Sequence, residues 1–285
     1  MANKLTLFHL SDIHFGIEDN RALDWVRQEI LARKPDAVAI TGDLTMRARR
    51  HEFAAAEKWI RSLPVPVTIE PGNHDLPGYH LPQRYLNPLA RFEAFRDLVE
   101  RRLQVDGLAL VPLNTNVPAQ PRLNWSKGWI TKDALDDCLA QIDSLPSTAR
   151  VLVTAHHPLR EAGTHGTALT RNGSHALAEL AQRNVLGVLS GHVHDAFDIM
   201  EATPNGPVRM IGAGTLSHRI RSTPASFNEL HWNGEELSVR VRNLEGVASR
   251  EMMIDEVPED AMPPREPGEP VAPVGHVPRT DPPVD

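Results

Sequence analysis

The first seventy residues alternate between short apolar runs and segments in which apolar residues recur at helical spacing. The runs predict buried strands, and the spaced segments predict amphipathic helices. In chain order these elements are a strand at Leu5–Leu10, a helix at Ala22–Arg33, a strand at Ala37–Thr41, a helix at Glu52–Leu63 and a strand at Val65–Ile69. This βαβαβ order indicates a buried sheet with helices on its faces.

The remainder of the chain continues this pattern and then becomes rich in β-formers. We predict helices at Asn87–Leu103, Thr131–Leu145 and Ser174–Arg183, and strands at Leu108–Leu113, Val151–Ala155 and Val185–Leu189. After residue 194, four short segments with turn signals between them predict antiparallel strands that complete a second sheet, at Phe197–Met200, Val208–Ile211, Phe227–His231 and Leu237–Val241. The predicted fold is α/β, a four-layer α/β/β/α sandwich of two mixed sheets flanked by helices.

Five of the predicted strands end in a short turn that carries Asp, Asn or His. The turns are Ser11-Asp12-Ile13-His14, Thr41-Gly42-Asp43, Pro71-Gly72-Asn73-His74-Asp75, His156-His157-Pro158 and Ser190-Gly191-His192-Val193-His194. Ligands gather at the carboxyl ends of the strands in sheets of this kind. We therefore expect these side chains to converge on one spot.

The residue types in the turns suit divalent metals. Carboxylate, imidazole and amide oxygen are ligands for Mn, Fe, Zn, Co or Ni, and no thiolate takes part. Each motif alone is a weak signal, because a lone Gly-Asp is usually only a turn, but all five in order at strand ends predict a metal site. The candidates exceed what one ion binds, so we expect two divalent metal ions that share a carboxylate. Such a pair clamps the attacking and leaving oxygens of a displacement at phosphorus.

Taken together, the motifs DIH, GD, GNHD, HHP and GHVH resemble the signature of the calcineurin-like metallophosphoesterase superfamily, over about residues 5–194. The resemblance implies that the first metal is bound by Asp12, His14 and His194, that Asp43 bridges both metals, and that the second metal is bound by Asn73, His156 and His192. It favours His156 over His157, because the ligand in this family stands two residues before the proline. It also implies a catalytic role for His74, which either stabilises charge on the phosphoryl oxygens or protonates the leaving oxygen. Asp75 is expected to orient His74 through a hydrogen bond.

The implied reaction is phosphoester hydrolysis by a hydroxide held between the two metals. The segments HLSDIHFG and TGDLT are similar to bacterial class III cyclic-nucleotide phosphodiesterases. A small phosphodiester such as a cyclic nucleotide is therefore the expected substrate, and Arg219 and Arg221 are candidate contacts for its phosphate. Three alternatives stay open: a phosphomonoesterase of the same fold, a nuclease of the same fold, and a non-catalytic metal-binding scaffold.

Charge and composition indicate where the folded domain ends and which substrates are favoured. The segment 255–285 has nine prolines and eight acidic residues against two basic ones, so most of the net charge of −7 lies there. We predict a metallophosphoesterase domain at 1–250 and a Pro-rich, acidic, disordered tail at 251–285. The remainder is near neutral, which does not favour a nucleic-acid substrate. The β-rich C-terminal region is a candidate surface for a homodimer contact.

Compartment and membrane topology follow from what the chain lacks. No apolar run approaches about 20 residues, so no membrane span is expected. The N-terminal sequence MANKLTLFHL does not resemble a signal peptide, and the single Cys138 excludes an internal disulfide. We predict a cytoplasmic enzyme in which Cys138 is buried on a helix.

Overall fold

The structure is a computed structural model that describes residues 4–78, 81–101, 107–122, 124–221 and 223–244. Its strands are β1 Leu5–Leu10, β2 Ala37–Thr41, β3 Val67–Glu70, β4 Leu108–Pro112, β5 Arg150–Thr154, β6 Val185–Ser190, β7 Phe197–Glu201, β8 Val208–Gly212, β9 Ser226–Trp232 and β10 Leu237–Asn243. Its α-helices are α1 Asn20–Arg33, α2 Arg50–Arg61, α3 Leu81–Leu86, α4 Ala90–Val99, α5 Lys132–Ser144 and α6 Gly173–Leu180. A 3₁₀ turn, Asn73–Asp75, follows β3.

The strands form two five-stranded mixed sheets. The first has the order β10-β9-β1-β2-β3, and the second has the order β4-β5-β6-β8-β7. In the first sheet β1, β2 and β3 are parallel, and β9 is antiparallel to both β1 and β10. In the second sheet β4, β5, β6 and β8 are parallel, and β7 is antiparallel to β8. The predicted pair of mixed sheets flanked by helices is confirmed.

Alternation along the strands divides the core into layers. In β1, Leu5 and Leu7 point between the two sheets, where they belong to one apolar cluster with Leu152 and Leu189 of the second sheet. Phe8 and Leu10 point the other way, into a cluster that includes the buried faces of α1, α2 and α4. A third cluster lies on the outer face of the second sheet, under α5 and α6. The period of two in each strand thus produces the four-layer sandwich.

The prediction that the last four segments are antiparallel strands completing the second sheet is only partly correct. β7 and β8 do join the second sheet, but β8 runs parallel to β6. β9 and β10 instead join the first sheet, where Leu5 pairs with Trp232. The apolar pattern of a strand specifies that it is buried, but it does not specify which of two apolar sheet edges it will extend.

The helix predicted at Asn87–Leu103 begins later than expected. Pro88 lacks an amide hydrogen and disfavours helical backbone in the preceding residue, so the helix begins only at Ala90 and ends at Val99, while the separate helix α3 ends at Leu86. Residues 102–106 lie outside the described residues. The other predicted helices and strands are confirmed, with boundaries that shift by up to three residues.

Two predictions on the chain as a whole have different outcomes. Cys138 is confirmed as fully buried, and burial raises the pKa of its thiol to about 12. The tail at 251–285 and the end of the predicted domain at residue 250 lie outside the described residues. Among the helices that the structure describes, none has both the length and the apolar character needed to cross a bilayer.

Candidate metal centre

The carboxyl ends of five strands meet and bring the seven predicted ligands together. Asp12 and His14 follow β1, Asp43 follows β2, and Asn73 follows β3; the remaining three ligands follow β5 and β6. Four groups of potential ligand atoms that lie within 4.8 Å of one another result, and Asp43 belongs to two of them. The structure therefore places all seven at one end of the two sheets.

Backbone strain is concentrated in these turns. Five of the predicted ligands have positive φ angles, namely Asp12 (53°), His14 (51°), Asp43 (49°), His192 (68°) and His194 (61°). Residues other than glycine rarely adopt this left-handed region, and each such residue costs on the order of 1–3 kcal/mol. The surrounding packing must hold these turns in place.

Two glycines allow the turns to approach one another. A Cβ atom on Gly72 would lie 2.1 Å from the backbone nitrogen of Asp43, and one on Gly191 would lie 1.7 Å from Oγ of Ser11. Since both neighbours are held within the packed turns, no side chain fits at either position. The glycines in the GNHD and GHVH motifs thus allow neighbouring turns to pack closely, because they have no side chain.

Asp43 lies between the two halves of the site. Its Oδ2 atom is 3.3 Å from Nε2 of His156 and 3.8 Å from Nε2 of His14. Its Oδ1 atom accepts a hydrogen bond from the backbone N–H of His74 (2.9 Å). One oxygen is therefore fixed by the backbone, and the other is directed at imidazole nitrogens from both sides.

The imidazole rings are oriented by backbone carbonyls. His194 donates through Nδ1 to the carbonyl oxygen of Arg219 (2.7 Å), and His156 donates through Nδ1 to that of Thr41 (2.8 Å). Each ring therefore turns its Nε2 atom into the site. This is the orientation that a metal-binding histidine needs.

The Nε2 atoms of these two rings lie close to side-chain oxygen acceptors. Nε2 of His156 is 3.2 Å from Oδ1 of Asn73, and Nε2 of His194 is 3.1 Å from Oδ1 of Asp12. Oδ1 of Asp12 is buried without a hydrogen-bond partner among the described residues. Such distances call for positive charge between the groups, either a proton on the imidazole or a metal ion, and oxygen and imidazole donors suit a divalent metal. The residues present fit two divalent ions.

The electrostatics of the site also indicate a need for positive charge. Burial alone lowers the pKa of His156, but the carboxylates of Asp43 and Asp12 outweigh it and raise that pKa to about 9. Burial raises the pKa of Asp43, but the surrounding imidazoles of His156, His74 and His14 bring it well below its usual value. The carboxylates therefore stay ionised in a buried site, which a bound cation neutralises.

The structure separates His156 from His157. Both ring nitrogens of His157 already have partners, since Nδ1 lies 2.8 Å from Oγ1 of Thr115 and Nε2 donates to the carbonyl oxygen of Ser126 (2.8 Å). The ring still packs at 4.5 Å, centroid to centroid, against His192. His157 is thus positioned to support the site, and His156 is the ring whose nitrogen faces Asp43.

The predicted hydrogen bond between Asp75 and the His74 ring is wrong. Nδ1 of His74 donates instead to the carbonyl oxygen of Met46 (2.7 Å). The carboxylate of Asp75 accepts from the backbone N–H groups of Leu44 (3.1 Å), Thr45 (2.8 Å) and Gly72 (2.9 Å). Asp75 therefore joins the turn after β2 to the turn after β3, because a buried carboxylate takes the nearest unpaired backbone donors.

Burial and the nearby carboxylate of Asp43 raise the pKa of Asp75 to about 7, against the opposing effect of its backbone donors.

A sixth segment, the loop after β8, also reaches the site. Thr215 donates through Oγ1 to the backbone carbonyl of Asp12 (2.8 Å). Nη1 of Arg219 lies 3.1 Å from Nε2 of His74. Sequence reasoning missed the supporting roles of Thr115, Met46 and Thr215. An Ala-Gly-Thr turn after a predicted strand was the only available signal for the last of these.

Residues 5–196 match the family model described as calcineurin-like phosphoesterase. The chain belongs to this family. It is accordingly a dinuclear metal-dependent hydrolase of phosphoesters, as the sequence motifs predicted, and divalent metal ions are its cofactors.

Individual relatives are distant. The chain is 24% identical over 206 residues to a glycerophosphodiester phosphodiesterase, GpdQ, of Enterobacter lignolyticus, covering 67% of this chain and 71% of that protein. It is 24% identical over 204 residues to a probable cyclic nucleotide phosphodiesterase of Vesicomyosocius okutanii, covering 67% of this chain and 79% of the relative. A dimetal phosphatase from Danio rerio shares the fold, with a TM-score of 0.62 at 15% identity over 84% of this chain and 96% of the other.

Proposed function

We propose that this calcineurin-like phosphoesterase hydrolyses a small phosphodiester, with a cyclic nucleotide or a glycerophosphodiester as the substrate class. The observation that carries the proposal is the position of Asp43, whose Oδ2 atom faces His14 on one side and His156 on the other. The two relatives above bear the names of enzymes that act on phosphodiesters, which supports a diester over a monoester.

The proposed ligand sets divide the site into two halves. The first metal would be held by Asp12, His14 and His194, the second by Asn73, His156 and His192, and Asp43 would serve both. When bound, the two metals supply a nucleophile at neutral pH and neutralise charge on the phosphoryl oxygens.

The chain itself supplies orientation and access. Asp12, His14, Asp43, His156 and His194 are at most 3% exposed, whereas Asn73, His74 and His192 are half-buried. A substrate would therefore approach from the side of the half-buried residues. His74 lies on this side, where it would contact the reacting phosphoryl group.

His74 has one ring nitrogen for the reaction. Because Nδ1 is held by the carbonyl of Met46, Nε2 is the atom that can serve the phosphoryl group or the leaving oxygen. In the structure this atom accepts from Arg219, so for either role the ring would first have to take up a proton at Nε2 in place of that bond. The N–H formed there would stabilise a phosphoryl oxygen or protonate the departing alkoxide. Both roles require the ring position that the structure describes.

The test compares diester and monoester turnover. Metal-stripped protein, resupplied with Mn²⁺, would be assayed with bis(p-nitrophenyl) phosphate, p-nitrophenyl phosphate, cAMP and a glycerophosphodiester, beside Asp43→Ala and His74→Ala. We expect metal-dependent turnover of the diesters that both substitutions abolish. Faster turnover of the monoester would contradict the substrate class, and no turnover with two bound metals would favour the scaffold alternative.

A further inference from the structure

Arg219 is a half-buried cation beside the proposed metal centre. Its guanidinium donates through Nη1 to Nε2 of His74 at 3.1 Å. The ring of His74 packs edge-on against that of His14 with a centroid distance of 4.9 Å, and a ring nitrogen of His74 lies within 4.8 Å of ligand atoms of His14 and Asp43. The guanidinium is therefore hydrogen-bonded directly to His74, the residue next to the proposed metal ligands.

The backbone around Arg219 is connected by hydrogen bonds to the turns that carry the proposed ligands. Its carbonyl oxygen accepts from Nδ1 of His194 (2.7 Å). Its amide donates to Oγ of Ser217 (3.2 Å), which is hydrogen-bonded to Oγ1 of Thr215 (2.8 Å), and Thr215 is in turn bound to the carbonyl of Asp12. The guanidinium thus extends from a backbone whose position is fixed by the same residues that shape the metal site.

The guanidinium lacks an anionic partner. Across the residues that the structure describes, no carboxylate lies within ion-pair distance of Arg219, and the bond to His74 is the only one its side chain makes. A guanidinium has five N–H donors, so most of them are unclaimed here. Burial lowers the pKa of the guanidinium, and the carboxylates of Asp43 and Asp12, which do not contact it, offset that effect only in part.

A role in substrate binding explains why a partly buried guanidinium has so few acceptors better than a role in supporting the fold does. A structural arginine in this chain has acceptors at its guanidinium, as Arg84 has in the carbonyls of Pro118 and Pro77. Arg219 instead faces the half-buried side of the site, where the substrate would enter.

We propose that Arg219 is a phosphate-binding residue whose unclaimed N–H donors take a non-bridging oxygen of the phosphoryl group beside His74. Arginine suits this role, because its planar donors match phosphate oxygens and its charge is permanent. This inference rests on the proposed function in that the phosphoryl group sits at the metal centre. It adds a protein cation to the charge that the metals supply.

The test uses inorganic phosphate as a probe in addition to turnover. Metal-loaded wild type, Arg219→Ala and Arg219→Lys would be compared with Arg240→Ala, which removes one exposed arginine on the edge strand β10. We expect Arg219→Ala to lower kcat/KM for bis(p-nitrophenyl) phosphate by about 100-fold. It should weaken phosphate binding, measured by calorimetry, by about tenfold, with partial recovery in Arg219→Lys. Arg240→Ala should match the wild type in both.

A further readout separates binding from support of the fold. Guanidinium added at millimolar concentration should restore part of the activity of Arg219→Ala, while its metal content and Tm stay at wild-type values. Wild-type phosphate affinity in Arg219→Ala would overturn the inference, even if the protein turns over no ester tested. Loss of metal or of Tm without rescue would overturn it in favour of a structural role. If the diester proves not to be the substrate, the phosphate arm still decides the role of Arg219.

Discussion

Oδ2 of Asp43 lies 3.3 Å from Nε2 of His156, a residue that follows a strand of the other sheet. The contact joins the carboxyl ends of β2 and β5 across the line where the two sheets meet. Because Oδ1 of the same carboxylate is bound to the amide of His74, the group cannot turn away from the ring. Asp43 thus connects both sheets and both halves of the site.

Replacement of Asp43 by Asn tests this connection. The amide oxygen can still accept from His74, but the negative charge between the rings is lost. We expect the variant to retain fewer than two metals per chain after gel filtration, and to lose about 1,000-fold in diester turnover. Metal analysis by mass spectrometry and a steady-state assay measure the two effects. Two tightly bound metals in Asp43→Asn would contradict the shared position.

His156 and His157 provide a matched pair for the second half of the site. We expect His156→Gln to lose one metal equivalent, because its Nε2 atom faces Asp43 and Asn73. We expect His157→Gln to keep both metals with affinity lowered by about 10–100-fold, because its ring only supports neighbouring groups. Metal titration of both proteins measures this difference. The reverse ranking would assign the ligand to His157.

Asp75→Asn tests the correction to the role of that residue. The carboxylate now accepts hydrogen bonds from backbone N–H groups. The NH₂ group of Asn would place a donor against some of these donors and leave them unpaired, so we expect the free energy of unfolding to fall by about 2–4 kcal/mol. Urea denaturation measures the loss. If Asp75 acted mainly on the His74 ring, the variant would keep wild-type stability and change only the pH profile of activity.

The buried ring of His9 predicts that the stability of the metal-free protein falls in acid. Its Nε2 atom lies 2.9 Å from Oγ1 of Thr41 and its Nδ1 atom 3.3 Å from Nδ2 of Asn228, and burial lowers its pKa to about 3. In the unfolded chain the ring of His9 is protonated below its ordinary pKa of 6.5, whereas in the folded protein it stays neutral down to about pH 3. Stability is therefore full above about pH 6.5 and is lost as the pH falls from there towards 3.

We expect His9→Gln to lose about 2 kcal/mol less stability than the wild type between pH 7 and pH 5. Urea denaturation of the metal-free proteins at both pH values measures the difference. His51→Gln, at an exposed position on α2, serves as the control and should follow the wild type. Equal slopes for His9→Gln and the wild type would show that the ring is protonated in the folded state.

The sequence predicted the ligands better than their supports. Asp12, Asp43 and His156 each follow an apolar run at a marked turn, so strand periodicity and residue type were sufficient to bring them together. The carbonyl groups of Met46 and Arg219 that fix the imidazole rings were not predictable, because every residue carries a carbonyl and only the folded backbone decides which one faces a ring.

The sheet assignment failed for a related reason. Leu230 and Trp232 mark β9 as a buried strand, but both sheets offer an apolar edge to such a strand. Which edge it joins depends on the lengths and directions of the connections, and on partners such as Asn228, whose side chain donates to the carbonyl of Gly212 across the sheets (2.9 Å). These are long-range contacts that local pattern does not encode.

The pairing of β1 with β9 also has a consequence during synthesis. Leu5 and Trp232 are neighbours in the sheet, so one edge of the strand that leads to Asp12 and His14 has no partner until the ribosome has made almost all of the described chain. At about 5–20 residues per second that interval is roughly 10–45 s. Contacts of such sequence separation also slow folding. The strand that precedes the first two ligands can pair with β2 early, but it gains its second neighbour only near the end of synthesis, and until then one of its edges is open to aggregation.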